Sequence, residues 1–257
     1  MRQLVIGRCV RLFVAALAAA FVVGTTSEAS AADGPEEGWW VRVSPYFWAS
    51  GINGDVAVGD RSVEIDKGFS DIWENLDFAA LGAVEVGQDD WSVLADVIYL
   101  DLSAQETLSG PAAAEVDANF QQWLVTGALT WRGLRGRWGT LGVLGGGRYV
   151  NLQTDLEIRL PEQTLTPSAE KDWVDPILGV RGRVYLVSQL FVPYYLDVGG
   201  FGVGSDFASQ GFTGLGYGFP WIDVVLAYRY LYMDYKEDNF AYDATTHGLK
   251  LGVVLRF

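Results

Sequence analysis

Eleven charged residues stand singly among apolar neighbours in this chain: Arg42, Glu85, Asp96, Arg148, Asp175, Arg181, Arg183, Asp197, Asp223, Arg229 and Lys250. Extended backbone points successive side chains to opposite faces. Val174, Leu178, Val180, Val184 and Leu186 therefore oppose Asp175, Arg181 and Arg183, and Ile222, Val224, Leu226, Tyr228, Tyr230 and Tyr232 oppose Asp223 and Arg229. Six cations and five carboxylates held on one side of apolar strands can do two things. Paired, they can fill a narrow tube as a salt-bridged core, because buried charges persist when paired. Unpaired around an opening, they would line a lumen that selects among ions. The pattern favours filling, because a barrel near this size is largely occupied by side chains. Seven of the charges, Asp96, Arg148, Asp175, Arg181, Arg183, Asp197 and Arg229, are expected in the middle or upper thirds of their strands.

Other residues offer less chemistry. His247 is the sole histidine. As a general base in an outer-leaflet lipid hydrolase it would need a serine in a recognisable motif, and none accompanies it. The expectation is a non-enzymatic protein. Asp55, Asp60, Glu64, Asp66, Glu157, Glu162, Glu170 and Asp172 match no calcium-loop spacing and read as solvated loop charge. Neither a metal nor a cofactor is implied. Gly145-Gly146-Gly147 lies within a strand pattern, where it permits sharp curvature and cradles no phosphate. In Ser70-Asp71-Ile72-Trp73-Glu74-Asn75-Leu76, Ser70 can cap a short helix that carries Asp71 in its first turn. That helix would either fold over or into the barrel mouth or rest Trp73 at a headgroup interface.

Ten strands position these groups, over 39–50, 77–87, 91–106, 115–132, 138–157, 173–186, 190–203, 208–218, 221–236 and 244–257. The connections 88–90, 133–137, 187–189 and 219–220 are tight. Those at 51–76, 107–114, 158–172 and 237–243 are longer and polar, and the one near 204–207 is short. Val56–Val58 and Val63–Ile65 flank Gly59-Asp60 as a hairpin above the membrane. Trp91 and Tyr99 share a face eight residues apart, as do Trp123 and Trp131. Eight residues rise roughly 26 Å, or roughly 20 Å at a ~40° tilt, close to the ~25 Å apolar band of transmembrane barrels. The fold class is all-β, an up-and-down antiparallel transmembrane barrel of ten strands, with eight or twelve as the alternatives.

Residues 1–31 read as a signal peptide: Arg2, Arg8 and Arg11, an apolar run from Leu12 to Val23, then Ala29-Ser30-Ala31. Residues 32–38 form a short acidic lead-in and 39–257 the barrel domain. Losing three arginines and one glutamate takes the formal charge from −14 to −16, which argues against nucleic acid as a partner. The one cysteine, Cys9, lies in the leader, so the remainder has no thiol. Leu249, Leu251, Val253, Leu255 and Phe257 form a final apolar row.

That ending, centred on Leu251, Val253, Leu255 and Phe257, resembles the C-terminal insertion signal of bacterial outer-membrane barrels. Segments 45–66 (PYFWASGINGDVAVGDRSVEID), 69–78 (FSDIWENLDF), 91–103 (WSVLADVIYLDLS), 175–183 (DPILGVRGR) and 227–235 (AYRYLYMDY) resemble an uncharacterised family of small Gram-negative outer-membrane β-barrel proteins. The resemblance implies the fold and the bacterial outer membrane as location; a barrel there is expected to have outer-membrane lipid, lipopolysaccharide and the barrel-assembly machinery as partners. It carries over no catalytic or binding residue. Two functions remain: an envelope protein with a charge-filled lumen, or a narrow channel for ions or small solutes.

Overall fold

The computed structural model describes residues 38–58, 61–108, 114–159, 164–166 and 168–257. The leader, Gly59-Asp60, Gly110 and Glu162 lie outside the described residues. The main strands are β1 (Trp39–Val58), β3 (Leu76–Gln88), β4 (Trp91–Leu108), β5 (Ala114–Gly136), β6 (Gly139–Arg159), β8 (Ser168–Tyr185), β9 (Leu190–Gly200), β10 (Phe207–Gly218), β11 (Ile222–Glu237) and β12 (Phe240–Arg256). Each pairs antiparallel with the next, and β12 pairs with β1, which closes a ten-stranded barrel. Reciprocal backbone bonds between Val41 and Phe257, at 3.0 and 2.9 Å, seal the join. Two further strands, β2 (Arg61–Lys67) and β7 (Thr164–Leu165), pair only with β1 and β6.

Several strands outrun the ranges expected from sequence. β1 continues through Val58 and folds back as β2, so much of the 51–76 stretch is sheet. The 237–243 stretch is a hairpin in which Glu237 pairs with Phe240 and Asp238 takes φ 51°. Polar residues in these stretches do not break the ladder, because above the membrane the outer strand face meets water while Val56, Tyr235 and Tyr242 pack inward. At ~3.3 Å per residue and ~40° tilt, the 23 residues of β5 stand roughly 58 Å high, over twice the apolar band. β9 and β10, with 11 and 12 residues, barely exceed that band.

The wall is therefore low at β9–β10. The expected strand 190–203 stops at Gly200, because Gly200, Phe201 and Gly202 all take positive φ (85°, 53° and 73°) and turn the chain. Above this hairpin no strand separates residues 168–176 of β8 from the end of β11, since pairing stops at Ile177–Gly199 and at Phe207–Asp234. Trp173 and Tyr235 bridge the gap with stacked rings 4.0 Å apart.

The outer wall is apolar between two aromatic rims. Trp91 pairs directly with Trp131, and Tyr99 with Trp123, whose rings lie 4.5 Å apart. Trp138, Trp221 and Phe257 continue the rim at the tight-turn end, all exposed. Leu129, Val143, Leu178, Leu196, Leu226, Leu249 and Leu251 fill the belt between, also exposed. A charge on that belt would cost ~2–4 kcal/mol at mid-bilayer.

The helix α1 (Phe69–Glu74) lies outside the barrel. Its Phe69 and Trp73 rings meet outward-facing Phe47 edge-on at 5.9 and 5.8 Å, so it rests on the wall and does not enter the mouth. Its cap corrects the sequence expectation. Gly68 holds the N-cap position, with Ser70 inside the helix, and the Asp71 carboxylate accepts from the Gly68 N–H at 2.9 Å. A carboxylate three residues after the cap can reach back to that free donor, whereas Ser70, two residues after it, no longer holds the cap position.

Candidate functional site: the lumen

Alternation sends every second side chain inward, and the interior is sorted by height. At the loop end it is apolar. Leu124, Val150, Leu152, Leu231, Met233 and Tyr242 are buried there with Trp173 and Tyr235. Trp48, Ile98, Ala208 and Ala244 complete the packing.

Below this plug lies a charged belt. Arg148 and Arg229 are each 0% exposed. Arg148 donates to Asp197 at 2.5 Å and to the Thr126 hydroxyl at 3.3 Å. Arg229, from the opposite wall, donates to the Tyr46 hydroxyl at 2.8 Å and to the Gln210 carbonyl at 2.9 Å, and stands 3.5 Å from Asp96. Tyr46 in turn donates to Asp96 at 2.6 Å. The Trp48 ring covers the guanidinium at 5.0 Å, so its face is shielded while its edge is bonded.

Nearer the tight turns, Arg181 forms a two-pronged pair with Glu85, both contacts at 3.0 Å, and Ser92 donates to the same carboxylate at 2.6 Å. Arg183 and Arg256 both approach Asp223, at 3.3 and 3.0 Å. Asp96, Arg181 and Arg183 thus sit low, where the middle or upper thirds were expected. The strands project so far at the loop end that their midpoints lie above the belt.

Two residues depart from a cation–carboxylate scheme. The Asp175 carboxylate accepts from the Ser205 N–H at 2.6 Å, the Ser205 hydroxyl at 2.8 Å and the Trp173 indole at 3.3 Å. It pins the 201–206 turn into the barrel, a contact that sequence alternation cannot show because the turn folds back inside. Asp175→Ala is expected to leave a buried N–H unsatisfied, at a cost of ~1–3 kcal/mol, and to raise hydrogen exchange at 201–206 selectively. Protection unchanged in that turn would show that Asp175 does not hold it. Lys250, the second exception, directs its ammonium at the Tyr46 and Phe212 rings, 3.7 and 4.7 Å from their centroids. Arg42 lies low in the lumen with its guanidinium 4.5 Å from the Trp40 ring.

The belt and the low wall enclose a cavity of about 170 Å³, lined from Tyr46 and Lys250 down to Arg135 and Thr140 near the tight turns. Sequence reading missed Gln210 and Phe212 as lumen groups. Their parity within β10 could have found them, but that strand is glycine-rich and lacks a charge to mark its inner face.

Other candidates lie elsewhere. His247 is on the outer wall, with Nδ1 2.6 Å from the Tyr228 hydroxyl. Among the described residues no group of three His, Cys, Asp or Glu could hold a metal ion. At Gly146 a Cβ would come 2.0 Å from the Gly127 carbonyl oxygen, so β5 and β6 close together there in a way only glycine allows.

An apolar outer belt, two aromatic rims and enclosed charges make this an outer-membrane-type β-barrel, since a membrane-spanning sheet must close so that every backbone group is paired. No family model matches the sequence, and no curated protein does. Among solved structures the chain is similar to the translocator domain of autotransporter NalP from Neisseria meningitidis (14% identity, 88% of this chain and 90% of that one, TM-score 0.43). It is also similar to Ail, the attachment invasion locus protein of Yersinia pestis (13%, 86% and 99%, TM-score 0.37), and to an outer membrane channel from Pseudomonas putida F1 (13%, 92% and 100%, TM-score 0.34). At such TM-scores these likenesses carry nothing about activity. The fold rests on its own closed hydrogen-bond ladder.

Proposed function

We propose that the protein is a non-enzymatic integral barrel of the bacterial outer membrane whose lumen is shut at rest. The observation that carries this reading is the apolar plug, with the Trp173–Tyr235 stack over the low wall. Ions crossing it would shed their water against buried Leu124, Val150 and Met233, and a dewetted constriction of this kind stops conduction. Below it Arg148, Arg181, Arg183 and Arg229 are paired with carboxylates, which narrows the section that a channel would leave open. The reading also takes outer-membrane lipid and lipopolysaccharide as surroundings, and barrel-assembly machinery recognising Leu251, Val253, Leu255 and Phe257. The resemblance of the sequence segments to small Gram-negative barrel proteins supports the location.

The chain is expected to fractionate with outer membranes and to migrate differently before and after boiling. Single cysteines at Thr166 or Asn239 should react with an impermeant reagent on intact cells. One at Asp89 or Gly136 should react only once the outer membrane is opened. Recovery in soluble periplasm, or the reverse labelling, would overturn the reading.

A further inference from the structure

The cavity below the plug differs in charge from the protein around it. The chain as a whole carries −14. Yet Arg42, Arg132, Arg135, Arg181, Arg183 and Lys250 line this cavity against three carboxylates, Glu85, Asp96 and Asp223. A closed low-dielectric wall concentrates that field along the cavity. Its deep end is different again, being built from rings. Lys250 stands between Tyr46 and Phe212, and Phe212 stacks on Tyr195 at 5.6 Å with planes 3° apart.

Lys250 enters none of the salt bridges among the described residues. Asp96, the carboxylate that acts on it through space, is taken up by Arg229 and the Tyr46 hydroxyl. An ammonium held by ring faces alone, at the closed end of a cation-lined cup, is short of one negative group.

We propose that this cup is a binding site for a small monoanionic carboxylate carrying one aromatic or similarly sized apolar ring, admitted from the tight-turn side. A volume of about 170 Å³ suits it, because a cavity of ~150 Å³ holds a benzene ring. The carboxylate meets Lys250, and the ring lies against Phe212 and Leu94, both of which line the cavity. A neutral ring leaves the ammonium uncompensated, and a bare small anion leaves the apolar wall wet, so each half of the ligand has its own reason to be there. The cup lies below the plug, so this inference stands or falls independently of whether the loop half conducts.

The test is calorimetric titration of the full folded barrel in lipid nanodiscs with sodium benzoate, beside benzyl alcohol, benzylammonium and acetate. Saturable benzoate binding is expected, at least roughly tenfold tighter than any of the other three, a difference of ~1.4 kcal/mol. Lys250→Met, which keeps the stem, should weaken benzoate at least tenfold, and Lys250→Arg should largely restore it. Absence of saturable benzoate heat overturns the proposal. So does benzyl alcohol or acetate binding as tightly as benzoate, or full affinity in a Lys250→Met barrel that still shows the heat-dependent gel shift. If Lys250→Met fails to assemble, the four-ligand comparison on the unaltered protein decides by itself.

Discussion

Replacing Arg229 with methionine is expected to lower stability by ~3–5 kcal/mol, the cost of leaving a buried carboxylate without its cation. The side chain is fully enclosed and engages Gln210 on the neighbouring strand, Tyr46 two strands away and Asp96 across the barrel. Its loss removes the counter-charge of Asp96 and two charge-assisted hydrogen bonds, to Tyr46 and Gln210, together. Urea titration of the folded barrel in micelles, followed by tryptophan emission and checked by the gel shift, measures the difference. The paired change Arg229→Met with Asp96→Leu should recover most of the loss, because an apolar pair of similar volume avoids desolvating two charges. A single-variant loss below ~1 kcal/mol would show that water reaches the belt and that the charges are solvated.

The second large effect concerns conduction. In planar bilayers the unaltered barrel is expected to give no steady current, and Trp173→Ala with Tyr235→Ala is expected to give discrete openings. These rings stack at 4.0 Å where no strand separates β8 from β11, and Trp173 also packs near Tyr242, 6.4 Å away. Truncating both opens the aromatic bridge above the low wall, leaving only the peripheral Lys171–Glu237 pair at 3.5 Å among the described side-chain contacts there, and admits water beside Leu152 and Met233. Each large-to-small change also costs ~3–5 kcal/mol in a packed interior, so the variant should lose its folded gel band at a lower temperature. Large ohmic currents from the unaltered protein, unchanged in the variant, would show that the plug does not close the lumen.

The amino-acid order by itself was enough for the architecture. Period-2 alternation placed Arg181, Asp197 and Arg229 on one face and Val180, Leu196 and Leu226 on the other, and the structure turns those faces inward and outward. Trp91, Tyr99, Trp123 and Trp131 share parity at matched spacing, so two rims were legible before any pairing was known. These signals are local, because a strand fixes the side of every residue from its neighbours alone. Strand ends were less legible. A rule that polar stretches are loops fails above the membrane, where the outer face of a strand meets water, and β1–β2 and β11–β12 continue there.

Only the tertiary structure decided who meets whom. Parity put Arg148, Arg183 and Lys250 inside but gave no partner, because partners lie several strands away around the closed sheet and depend on its stagger. Closure delivered Arg148 to Asp197, Arg183 to Asp223 and Lys250 to two aromatic rings. It also brought Ser205 back onto Asp175, since three positive-φ residues turn 201–206 inward. The division into an apolar upper lumen and a charged lower one arises the same way. Trp173, Met233 and Tyr242 come from three different strands, and only the register of the closed barrel sets them at one height.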